Sequence, residues 1–146
     1  MSVFSIREGD IQEVVNLSKE IPEFINPQGV EEYQKRLQNV PHLILIATKE
    51  RQNIGFKVGY ERDGGFYSWM GGVHPEFRKL GVAKALADAQ ADWAKRYGYS
   101  SITFKTRNQH KAMLVFALKN GFNIIGFKER EHIDVHRILL RKSLKS

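Results

Sequence analysis

Between Phe66 and Thr106 the chain reads as strand, turn, long helix, strand, and that order leaves the fold little freedom. A helix joining two strands of one sheet lays the second parallel to the first. The first strand, FYSWMGGV, ends at Val73. The helix runs from the following turn to about Tyr97, where Gly98 is a good terminator. Val82, Leu86, Trp93 and Tyr97 mark its buried stripe, and Lys84, Asp88, Asp92 and Arg96 ladder the other side. The second strand is Ser101–Thr106.

The flanking segments fit around this unit. Ser2–Arg7 alternates as a strand does. Asp10 caps a helix over Ile11–Ile21, with Glu13 at its third position. Pro22 and Pro27 bracket a loop, and a second helix spans about Gly29–Gln38. His42–Thr48 is a buried apolar strand, Lys49–Asn53 turns, and Ile54–Arg62 is the next strand. Asp63-Gly64-Gly65 is a hairpin turn into Phe66. After the parallel pair, His110–Asn120 forms a short helix ending at Gly121. Phe122–Lys128 and Val135–Leu140 close the sheet as an antiparallel pair, and Arg141–Ser146 reads as a frayed basic tail. The order is β-α-α-β-β-β-α-β-α-β-β, an α/β sheet of mixed, mostly antiparallel direction.

The 146 residues suit a single domain, 1–146, and 42% apolar content suits a packed one. Without Cys there is no disulfide framework and no thiol nucleophile. The five His residues show no metal-ligand spacing, so no metal site is expected. No segment is apolar over the length a membrane span needs, and a cytoplasmic protein is expected. Residues 1–73 hold 8 Lys or Arg against 10 Asp or Glu; residues 74–146 hold 15 against 6. The basic half contains the turn that opens the long helix, HPEFRKLGVA. A helix start offers unpaired N–H groups and a positive dipole end. Gly81 lets an anion approach that backbone, and Arg78 and Lys79 add charge beside it. This combination suits a phosphorylated ligand such as a diphosphate.

Val73-His74-Pro75 followed by Arg78-Lys79-Leu80-Gly81-Val82-Ala83 resembles the acyl-CoA pyrophosphate loop of the GNAT superfamily of N-acetyltransferases. AMLVFALKNGFNIIGF resembles that family's short helix followed by Gly-Phe and a strand, and the element order matches the GNAT fold, with a central splayed parallel pair. The resemblance implies acetyl-CoA as cofactor and CoA as product. It implies acetyl transfer to a primary amine, borne by a small molecule or a peptide, by direct attack in a ternary complex. It gives Arg78, Lys79, Leu80, Gly81, Val82 and Ala83 to the pyrophosphate, and the edge of Gly71-Gly72-Val73, with His74, to the pantetheine arm. One N–H of that edge, at Gly71 or Gly72, would hold the thioester oxygen and its oxyanion. Two glycines inside a strand also suit a bulge.

Asn108 is either a cofactor contact or the N-cap of the following helix. Lys105, Arg107 and Lys111 would meet the adenosine-side phosphate. Where many members carry a Tyr acid, this chain has Ala117, with Phe116 beside it in the cofactor channel. Tyr67 stands where some members carry a Glu base, and would shape the pocket or order a water. Glu23, Glu61 and His74 are further base candidates. A CoA-binding regulator without catalysis and a basic nucleic-acid-binding domain are the alternatives. No specific nucleic-acid partner is expected, and a homodimer stays open.

Overall fold

The computed structural model describes residues 3–145. Ser2, at the start of the expected first strand, and Ser146 lie outside the described residues. Seven strands form one sheet: β1 (Ser5–Glu8), β2 (His42–Lys49), β3 (Gln52–Arg62), β4 (Gly65–Val73), β5 (Ser101–Arg107), β6 (Asn123–Lys128) and β7 (Arg137–Ser143). Their spatial order is β1-β2-β3-β4-β5-β7-β6. Only β4 and β5 run parallel, and every other neighbouring pair is antiparallel. The helices are α1 (Ile11–Ser18), α2 (Val30–Leu37), α3 (Val82–Arg96) and α4 (Lys111–Lys119).

Turn chemistry fixes the registers. Asp63 and Gly64 both adopt positive φ between paired Arg62 and Gly65, which is the twist-matched two-residue hairpin. Glu50 and Arg51 do the same between Lys49 and Gln52, so β3 begins at Gln52 rather than Ile54. Asp10 and Glu13 form the full capping box at α1: each side chain accepts the other's backbone N–H, at 2.9 and 3.1 Å. α1 is shorter than expected, and Ile21 is buried beyond its end.

The sheet separates two cores. Phe56, Val58 and Tyr67 turn toward α1 and α2, where they meet Val14, Leu17 and Tyr33. Leu45, Ile54, Phe66 and Ile102 turn toward α3, where they meet Val82 and Leu86. The buried stripe of α3 is Val82, Leu86, Gln90 and Ala94, at strict four-residue spacing. Tyr97 corrects the sequence reading: it is the C-cap, 67% exposed, and stacks on the outside of Trp93 at 4.3 Å. The basic tail is corrected too. Arg141, Lys142 and Ser143 pair with β5, and Leu144 is buried with its N–H on the Ser100 carbonyl. β7 must cover the full length of β5, and Leu144 anchors its end.

Candidate active site

β4 and β5 pair only at Phe66 with Ile102 and at Tyr67 with Thr103, and beyond those residues they part. A bulge begins at that point. Met70 stands opposite Val58 and Ser68 opposite Gly59, so Trp69 is the extra residue of β4. A bulge bends and twists its strand, and here it coincides with the place where β4 leaves β5. The two glycines are therefore not a bulge. Gly71 and Gly72 keep regular register with Lys57 and Phe56.

Antiparallel alternation decides which glycine serves the gap. The His74 N–H bonds the Ile54 carbonyl, so hydrogen-bonded pairs recur at every second residue back along β4. Gly72 therefore turns its peptide groups to β3, and Gly71 and Val73 turn theirs to the gap. This narrows the expected oxyanion donor from Gly71 or Gly72 to Gly71. The glycines have different packing reasons as well. A Cβ at Gly72 would lie 2.9 Å from Phe24 and 3.0 Å from Ile21, which close over it from the segment after α1. A Cβ at Gly71 would lie 3.6 Å from the Lys57 Nζ on the α3 side. The sequence reading passed over Lys57, a partly buried lysine whose ammonium burial pulls down to about 8.

The gap leads to the start of α3. His74 caps a 3-10 turn, Pro75–Phe77, its Nδ1 accepting the Glu76 N–H, which uses one of the two ring nitrogens of this base candidate. Lys79 and Gly81 are both left-handed, at φ 68° and 85°. Gly81 is the N-cap of α3 and supplies no side chain to its free N–H groups, and nothing lies within 4 Å of where its Cβ would stand. Leu80 and Ala83 are exposed, whereas Val82 is buried and offers its backbone alone. Uncapped donors beside open space fit an anionic chain such as a pyrophosphate. Arg78 is already engaged: its guanidinium takes both Glu23 carboxylate oxygens, at 2.7 and 2.8 Å, and the Val73 carbonyl at 3.1 Å. The Arg78 hydrogen bond is the main force holding Glu23 below the usual carboxylate range, which makes it a poor base.

The opposite face of the gap is aromatic and cationic. Tyr67 is buried edge-on against Tyr60, and Trp69 lies between Tyr33 and Tyr60. Burial raises the Tyr67 phenol above its ordinary range. Arg62 lies 5.0 Å and Lys105 5.9 Å from the Tyr67 ring, and Arg36 lies 4.6 Å from the Trp69 ring. Lys105 is therefore on the α1/α2 face, away from the expected adenosine phosphate. Its ammonium is pulled down by burial first, then by Arg62, Arg137 and Lys128.

Asn108 does not cap α4. His110 is the N-cap, while the Asn108 amide donates to the Ile133 carbonyl at 3.1 Å and ties β5 to the β6–β7 connection. Phe116 is half-buried in α4, its carbonyl taking the Asn120 amide, and Ala117 beside it is buried. Arg107 and Lys111 are exposed. Glu61 accepts the Tyr99 hydroxyl at 2.9 Å, toward the closed end of the parallel pair.

Solved structures share this fold. The ribosomal-protein-S18-alanine N-acetyltransferase of Escherichia coli superposes with a TM-score of 0.85 at 13% identity, over 98% of this chain and 95% of that one. Ard1 of Thermoplasma volcanium gives 0.83 at 17% identity, over 99% of each chain. At such identities the likeness is one of fold. Acetyltransferase plu1384 of Photorhabdus laumondii is 33% identical over 90 residues, 59% of this chain. That match spans 61% of the relative's length. The model of the acetyltransferase (GNAT) family matches residues 11–122. Because that match runs from the first residue of α1 to the approach of β6, and so takes in both walls of the gap, the chain belongs to the GNAT acetyltransferase family.

Proposed function

We propose that residues 1–146 form one domain that transfers an acetyl group from acetyl-CoA to a primary amine, with both substrates bound together. The observation that carries this reading is the parting of β4 from β5, which turns the Gly71 and Val73 peptide groups into a gap leading to the uncapped start of α3. When bound, acetyl-CoA supplies an activated acyl thioester. The backbone at Gly81–Ala83 and the Lys79 ammonium hold the anionic end. The Gly71 N–H donates to the carbonyl oxygen and stabilises the charge that grows there as the amine attacks. With no Cys in the chain, no thiol of the protein can carry the acyl group between the two substrates.

The acceptor enters from the face of α1 and α2, against Tyr67 and Trp69. Arg62 and Lys105 stand over Tyr67 there, with Asp63, 3.8 Å from Arg62 and largely exposed, as a weak counter-charge. Such a wall attracts a carboxylate or phosphate and repels a second ammonium. The acceptor is accordingly an amine that also carries an anionic group.

Two measurements test the reading. Acetyl-CoA at ~100-fold over its dissociation constant should add about 2.7 kcal/mol, a rise of roughly 5–11 °C in Tm. Thiol release should then be faster with amino acids or peptides bearing a carboxylate than with polyamines of the same length. No thermal shift with millimolar acetyl-CoA or CoA refutes the function, and a preference for polyamines refutes the acceptor class.

A further inference from the structure

Lys57 sits in the middle of β3 on the side covered by α3, where neither anion binding nor oxyanion stabilisation uses it. Lys57 is partly buried, and a lysine this far inside usually carries a partner. Here Leu45 of β2 and Gly71 of β4 stand beside it. Gly55 and Gly59 flank it on the same face of β3, so side chains are absent on both sides of its stem. The elements packed over it turn Leu43 and Leu45, Phe66, Ile102, Leu86 and Gln90 toward that face, none of them titratable. Among the described residues Nζ has no hydrogen-bond or ion-pair partner.

Its position is defined by Gly71. That residue points its N–H into the gap, and its Cβ position is 3.6 Å from the Lys57 Nζ. A thioester whose oxygen takes the Gly71 N–H has its sulfur one bond from the carbonyl carbon, beside the strand residue that this ammonium flanks. We propose that Lys57 is the proton donor to the sulfur that leaves when a thioester in the gap is cleaved. The inference rests on the acyl-transfer reading given above.

The step balances. The acceptor nitrogen bonds to the carbonyl carbon, the carbon–sulfur bond breaks, and the electron pair stays on sulfur. Lys57 gives sulfur a proton and becomes a neutral amine. The proton released by the acceptor nitrogen goes to water, and water restores the ammonium. Burial alone brings Lys57 from 10.5 to about 8. A free thiol titrates at ~8.5, and such a match favours proton transfer in either direction.

The test uses the full chain and needs no known acceptor for its first two parts. The wild-type lysine side-chain carbons, followed by NMR, should report one ammonium titrating near pH 8, and its signal should move when CoA binds. The thiol of bound CoA should ionise about one pH unit lower in wild type than in Lys57→Met, read by thiolate absorbance. With an acceptor, Lys57→Met should lower kcat by ~100-fold while KM for acetyl-CoA stays within threefold. The alkaline fall of kcat near pH 8 should vanish. Lys57→Arg should stay as slow, because a guanidinium keeps its proton. An acetyl thioester of a more acidic aromatic thiol should shrink the loss.

Unchanged kcat in Lys57→Met overturns the proposal, as does full rescue by Arg, which would mark a fixed charge. Should Lys57→Met fail to fold, a wild-type lysine signal unmoved by CoA overturns it alone. A wild type that binds CoA but acetylates no amine counts against the acyl-transfer reading, while the lysine signal and the thiol titration still decide whether Lys57 meets the sulfur.

Discussion

Holding Lys57 between β2, β4 and α3 costs the folded chain free energy, because partial burial penalises the ammonium and no partner offsets it. The sign follows from linkage. The folded form titrates at about 8 and the unfolded form near 10.5, so the unfolded chain holds more protons between those values. The penalty is complete below pH 8 and fades as pH climbs toward 10.5. Lys57→Met should therefore be more stable than wild type at pH 7, by ~1–3 kcal/mol, and the difference should shrink at pH 10. Urea melts at the two pH values measure this. Equal stability at pH 7 would mean that the ammonium reaches water. A more stable and much slower variant is what a residue kept for chemistry should give. The sequence hid this residue for a physical reason. In NIGFKVGY the lysine falls at every-other-residue spacing from the glycines, which reads as the solvent face of a half-buried strand. Only the packing of α3 across β3 partly covers that face.

Among the elements, those written in local chemistry were legible, and those set by distant packing were not. The cap of α1 needs only Asp10 and Glu13 in series, so it could be read directly. Its support came from further away: Arg7 of β1 takes the Glu13 carboxylate, and Asn53 of β3 adds a weaker bond. The Arg7 hydrogen bond, foremost, holds Glu13 down at about 2. Because the folded value is depressed, this group stabilises the fold above the unfolded carboxylate range near pH 4.5 and loses its effect as pH falls toward 2. Glu13→Gln should flatten the acid limb of stability between those values, while Asp10→Ala should cost ~1 kcal/mol at neutral pH. Acid titration followed by circular dichroism separates them. An unchanged acid limb in Glu13→Gln would assign acid unfolding to other carboxylates. The bulge was misplaced because Gly71 and Gly72 are the residues that usually mark one. Trp69 holds it instead, wedged against Tyr33 of α2 and Tyr60 of β3 and covered by Arg36, partners remote in sequence.

Across the whole molecule, positive charge concentrates in the half that carries α3 and its start. Charge alone would draw any polyanion, so the question is what converts attraction into recognition. Gly81 is the position that separates the two. Its φ of 85° is one that L side chains rarely adopt, yet nothing lies within 4 Å of its Cβ site. A substitution there strains the backbone by ~1–2 kcal/mol and clashes with nothing. Gly81→Ala carries that strain alone. Gly81→Glu adds a carboxylate in front of the free N–H groups of α3, where a pyrophosphate would lie. Both variants should melt a few degrees below wild type and by similar amounts. Only Gly81→Glu should lose the Tm rise with acetyl-CoA entirely. Binding to duplex DNA at low salt should hardly differ among the three proteins and should collapse as salt rises, because it depends on the field of the whole basic half. If Gly81→Glu still gained full stability from acetyl-CoA, the start of α3 would not be the anion site. If it instead abolished tight, salt-resistant DNA binding, the same backbone would be serving nucleic acid.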